Sequence, residues 1–165
     1  MSDSFEERLE KAVKRGNERA RARDEEAREQ QLTAAELKRM HGEYRLKLSE
    51  HIERNVQKLV GYFPGFRFET VIGEKGWGAA VSRDDFVPGG SAGKRRSDYS
   101  RLEMTIRPFS SLSVLELTAK GTVRNRETFN RTHFKKVAEA DVDEFERLID
   151  AWVIEYAEMF AAVSG

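Results

Sequence analysis

The apolar residues of this 165-residue chain change period twice, and those two changes constrain its fold more than any other feature. Leu37, Met40, Tyr44, Leu48, Ile52, Val56, Leu59 and Phe63 step by three or four. Their mean step of about 3.7 is nearer the ~3.6 of a straight helix than the ~3.5 of a left-handed supercoil. From Phe66 the period falls to two. Phe66, Phe68, Thr70 and Ile72 alternate with Arg67, Glu69 and Val71, and the same alternation recurs at Trp77, Ala79 and Val81, at Leu102, Met104 and Ile106, and at Leu115, Leu117 and Ala119. After Asp141 a wide helical stripe returns in Val142, Phe145, Leu148, Ile149, Trp152, Tyr156, Met159, Phe160 and Val163. This order predicts an α+β fold. An antiparallel meander of four to five strands is packed by a long N-terminal helix and a C-terminal helix, with a charged helical N-terminal arm in front.

Local signals set the expected boundaries. Ser4 with Glu7, Thr33 with Glu36, and Asp141 with Glu144 each spell a capping box, predicting three helix starts. Between Lys14 and Gln31 the only apolar side chains are alanines, and Lys14/Glu18 and Asp24/Arg28 place opposite charges at i,i+4. Residues 1–33 are therefore expected to form the arm and residues 34–165 a single α+β domain. Gly61 and Pro64 are expected to end the long helix. Gly73 to Gly76 reads as a hairpin turn. Residues 84–97 combine turn formers with a basic cluster and show no period, which predicts a long loop. A last strand at about 127–136 places Phe129 and Phe134 on opposite faces unless a bulge reconciles them.

Composition narrows the chemistry. The chain has no cysteine, which excludes disulfides and thiolate chemistry and suits a reducing compartment. Its amino terminus shows neither a basic nor an apolar leader segment, and no apolar run approaches the ~18 residues of a membrane span. The expectation is a cytoplasmic protein without a membrane partner. Several motifs fail on context. Gly89-Gly90-Ser91-Ala92-Gly93 has the letters of a nucleophile elbow, but no parallel strand enters it and no helix leaves it. Gly93-Lys94 ends like a phosphate-binding loop, yet Arg95 replaces the hydroxyl that would hold magnesium. Lys75-Gly76-Trp77-Gly78 copies half of an RNA-binding strand pattern, but Ala79 and Ala80 stand where an aromatic and an aliphatic residue should follow. The histidines, His41, His51 and His133, have no metal-ligand spacing. No catalytic residue, cofactor or metal is expected.

Charge carries the remaining functional signal. The protein has 29 basic and 29 acidic residues, but they are not mixed evenly. Residues 94–136 contain eleven bases and four acids, a net of +7, whereas residues 137–165 contain one base and eight acids, a net of −7. Lys94, Arg95, Arg96, Arg101, Arg107, Lys120, Arg124 and Arg126 are candidate members of a basic face. Such a face could track the phosphates of a nucleic acid or meet the acids of the last helix. Trp77, Trp152 and Tyr156 are candidate interface residues. Together these features point to a non-enzymatic protein-interaction or self-assembly module, as a homo-oligomer (a dimer) or with a protein partner. A nucleic-acid-binding protein is the alternative. A second alternative is a small-ligand-binding protein or enzyme with a pocket between sheet and helices, near Trp77, Tyr99 and Trp152.

Overall fold

A computed structural model describes residues 4–87 and 96–164. The element order is α1 (Phe5–Tyr62), β1 (Arg67–Gly73), β2 (Gly76–Val87), β3 (Arg96–Ile106), β4 (Val114–Val123), β5 (Arg126–Lys136), a short 3-10 turn (Val137–Glu139) and α2 (Val142–Ser164). The strands form one antiparallel sheet in the order β1-β2-β3-β4-β5, so the fold is the α+β meander that the periods imply. Contacts divide the chain into two units, Met1–Lys38 and Arg39–Gly165.

In the first unit every side chain from Phe5 to Arg28 is exposed, including the apolar Phe5, Leu9 and Val13. Ser4 caps the helix start, its Oγ accepting a hydrogen bond from the Glu7 amide at 3.3 Å. The second expected start is absent. Thr33 lies inside α1, because good helix formers flank it on both sides and no glycine or proline intervenes to break the ladder.

The second unit holds the core. Leu48, Ile52, Val56 and Leu59 of α1 are buried, as are Phe145, Ile149, Tyr156 and Phe160 of α2. Between them and the sheet lie the alternate residues of the strands. The register sets Val81, Leu102, Gly121 and Phe129 in one row and Trp77, Ile106 and Leu117 in another. Phe63, Phe66 and Phe160 form a triad of edge-to-face rings with centroids 4.8–6.2 Å apart, and Arg83 lies over two of them. Such ring pairs add about 0.5–1.5 kcal/mol each beyond their burial. Gly121 makes room for the core: a methyl group there would come within 3.0 Å of the Phe129 ring and 3.1 Å of the Tyr156 ring.

Several local expectations need correction. Gly61 stays within α1, and the left-handed residue that follows the helix is Gly65 (φ 105°). Both ends of the expected loop at 84–97 are strand, 84–87 in β2 and 96–97 in β3. Asp84, Asp85 and Phe86 pair with Tyr99, Asp98 and Ser97, because an antiparallel ladder satisfies its backbone whatever its side chains are. Residues 88–95, which include Ser91 and the glycines around it, lie outside the described residues. β4 and β5 are joined at Arg124 and Asn125, both at positive φ (46° and 70°), as a tight antiparallel turn requires. The bulge is present but sits at Thr128, where the register shifts. It leaves Phe129 buried and Phe134 exposed on the other face, so the two phenylalanines are not reconciled.

Candidate functional site

The candidate basic residues fall in three places. Arg101, Arg107 and Lys120 lie on the sheet face turned away from the core, each beside an acid. Arg101 donates to Glu69 of β1 at 2.7 Å and to Glu103 at 3.3 Å. Burial alone would lower the pKa of Arg101, but the bond to Glu69 and the charge of Glu103 outweigh it and hold the guanidinium above its ordinary value. Arg107 Nε lies 3.1 Å from Glu116. Lys120 is exposed and stands opposite Glu103 in the register. Arg124 and Arg126 are set apart from this face, at the β4–β5 turn. Lys94 and Arg95 lie outside the described residues, and Arg96 is described only as the first backbone position of β3.

The acidic helix reaches the sheet at β5. Arg131 grips Glu155 with two parallel bonds, Nη1 to Oε2 and Nη2 to Oε1, the second at 2.6 Å. Bidentate pairing is among the stronger charge-assisted geometries. It raises the pKa of Arg131 and lowers that of Glu155. His133 Nε2 lies 3.2 Å from Glu144 Oε1. Glu144 is thus turned to the sheet, and Asp141 caps α2 through the Asp143 amide at 3.0 Å. Of the acids on α2, Glu144 and Glu155 are the ones paired with β5.

Two of the aromatic candidates belong to the core and the third is half-buried. Trp77 is only partly covered, whereas Trp152 and Tyr156 are buried, and Tyr156 donates its hydroxyl to the Thr122 carbonyl at 2.8 Å. Burial pushes its pKa up. Arg45 covers the Trp77 ring, 4.0 Å from its centroid. Trp152 and Tyr156 thus pack inside the fold, and Trp77 keeps part of its surface exposed beside Arg45. Nor do Trp77, Tyr99 and Trp152 line one pocket, since Trp77 pairs with Ile106 while Tyr99 lies seven residues earlier on the same strand.

An open groove of about 570 Å³ runs between the second half of α1 and α2. Leu59, Val153 and Ala157 form its floor, and Tyr62 (80% exposed) and Ile154 (65% exposed) its apolar rim. At one end His51 Nε2 lies 2.7 Å from Asp150 Oδ1, and Asn55 Nδ2 donates to the same carboxylate oxygen and lies 3.2 Å from His51 Nε2. The histidine nitrogen is thereby occupied by its neighbours, and no serine, threonine or cysteine is among the described residues lining the groove. The trio clips α1 to α2 rather than activating a nucleophile. Its sequence signal was present: His51, Asn55 and Asp150 are polar positions at the border of two apolar stripes. Nothing in one sequence paired residues 99 positions apart.

Among the described residues no group of acids and histidines is arranged to hold a metal ion, and no helix is long and apolar enough to cross a membrane. No protein-family model, curated protein or solved structure matches the chain.

Proposed function

We propose that this chain is a non-enzymatic, cytoplasmic self-association module, and that two copies pair through the groove between α1 and α2. The observation that supports it is an apolar rim, Tyr62 and Ile154, over an apolar floor. Charge favours a second copy as the occupant. Residues 39–62 of α1 carry five bases and three acids, and Lys58 faces the groove; α2 carries six acids and one base, and Asp150 faces it from that side. A two-fold axis running along the groove sets α1 of one copy over α2 of the other, so each basic wall meets an acidic one. The alternative, a phosphate-tracking sheet, has less support, because Arg101 and Arg107 already hold acids on their own face.

Light scattering on the eluting protein tests this. A dimer at micromolar concentration is expected, with Ile154→Glu giving a monomer that still unfolds cooperatively. A monomeric parent protein would overturn the proposal, as would a dimer indifferent to Ile154→Glu.

A further inference from the structure

A second groove, of about 530 Å³, lies between the β4–β5 turn and the last two turns of α2. Its walls are Val123, Met159, Ala162 and Val163, and two arginines, Arg124 and Arg126, stand at its edge. These two differ from four other arginines of the sheet. Arg83 holds Asp85, Arg101 holds Glu69 and Glu103, Arg107 holds Glu116, and Arg131 holds Glu155. Neither Arg124 nor Arg126 has an ion-pair partner among the described residues. The Nε of Arg124 is also shielded from water with no hydrogen-bond partner. A shielded donor without an acceptor is costly and calls for one.

The turn that presents them is tied down. The Asn125 amide donates to the Tyr99 carbonyl at 2.7 Å, its side-chain oxygen accepts from the Tyr99 amide at 2.8 Å, and its Nδ2 donates to the Ser97 carbonyl at 3.0 Å. The Arg124 amide donates to Ser100 Oγ at 3.0 Å. Arg124 itself sits at φ 46°, where glycine or asparagine is the ordinary choice. An arginine held in that strained conformation, on a turn fixed to a third strand, is a pre-positioned charge.

We infer that this groove binds a small amphiphilic carboxylate, its head between Arg124 and Arg126 and its acyl tail along Val123, Met159 and Val163. A planar carboxylate matches the guanidinium fork. The volume lies within the roughly 300–1,000 Å³ of small-molecule sites, whose walls are mainly apolar with a few fixed polar groups. This site is separate from the α1–α2 groove and does not depend on self-association.

Decanoate below its micelle concentration is the probe, followed by calorimetry and by amide chemical shifts of the full chain. Binding is expected to shift residues 123–128 and 159–163. The double variant Arg124→Gln, Arg126→Gln should weaken binding about tenfold or more, and Met159→Glu should weaken it while both arginines remain. Decanol and acetate supply tail and head alone, and each should bind far more weakly than decanoate. Equal binding of acetate would mean an adventitious anion only, and equal binding of decanol a merely greasy surface. Either outcome overturns the inference, as do shifts confined to the α1–α2 groove. No basic residue occupies the last turn of α2. If the double variant instead lowers the melting temperature and the parent protein does not bind decanoate, the arginines serve as counter-charges to that helix end, and the inference fails.

Discussion

At the scale of single residues, His41 is the clearest case of a side chain whose surroundings set its behaviour. It is almost fully buried against Phe109, with ring centroids 5.4 Å apart, and its Nε2 has no hydrogen-bond partner. Burial lowers its pKa below 6.5; a hydrogen bond to the Arg107 backbone opposes this, and the charge of Arg45 adds to it. The unfolded chain therefore binds the proton more readily than the folded one. Stability from this residue is complete above pH 6.5 and is lost as pH falls from there through the folded pKa. The melting temperature is expected to fall across that window, and His41→Gln should flatten the fall. An unchanged slope in the variant would show that another group titrates. Glu155, held down by its bond to Arg131, works in the same direction from a lower starting point, its contribution present above 4.5 and lost as pH drops below it. Gly121→Ala should cost about 1–3 kcal/mol in chemical denaturation, because the added methyl must displace Phe129 or Tyr156 in a packed core. A neutral result would show that those rings can move aside. Nothing in the sequence marked Gly121, since its role depends on a ring contributed 35 residues later.

At the scale of elements, the strongest periodic signals were the ones that held. Of the nine apolar positions in the predicted α2 stripe, Phe145, Ile149, Trp152, Tyr156 and Phe160 are buried, Val142, Leu148 and Met159 are half-buried, and Val163 near the helix end is exposed. Trp152→Ala is accordingly expected to cost about 3–5 kcal/mol, enough to unfold a marginal domain. A variant as stable as the parent would show that the surrounding side chains close the gap. Strand ends were less legible. Alternation disappears at Asp84 and Asp85, yet β2 continues to Val87, because pairing with β3 needs only backbone groups and Arg83 holds Asp85 at 2.7 Å. The capping box at Thr33 misled for a related reason: a cap residue ends a helix only where the preceding residues resist helix formation, and Gln30, Gln31 and Leu32 do not. The exposed side chains from Phe5 to Arg28 bury nothing that the second unit needs. Deletion of residues 1–38 should leave residues 39–165 soluble and cooperatively folded, with a melting temperature close to the parent's. Loss of the cooperative transition would show that α1 requires its first half.

At the scale of the whole molecule, the +7 and −7 blocks were visible at once, but their partners were not, because charge counts carry no geometry. The folded chain divides the work. Arg101 and Arg107 are held by acids of the sheet itself, and Arg131 by Glu155 of α2, with Glu144 lying near His133. Arg124 and Arg126 are left over at the β4–β5 turn. Among the described residues, the β5–α2 contacts are the ones that join the two charge blocks. Their contribution depends on partial burial: Arg131 and Glu155 keep about a third of their side-chain surface exposed, so solvent screening cuts the Coulomb term. Bidentate geometry and the packing of Arg131 on the Phe129 ring, 4.9 Å from its centroid, act in the other direction. A double-mutant cycle with Arg131→Gln and Glu155→Gln separates these effects, since each single change breaks the pair and the double change removes both charges. A coupling of about 1 kcal/mol is expected at low salt, shrinking in about 1 M salt as screening shortens its range. Strictly additive single effects would show that the pair contributes nothing. In that case α2 would be held to β5 by its apolar stripe alone, and the match of the two charge blocks would have no part in the fold.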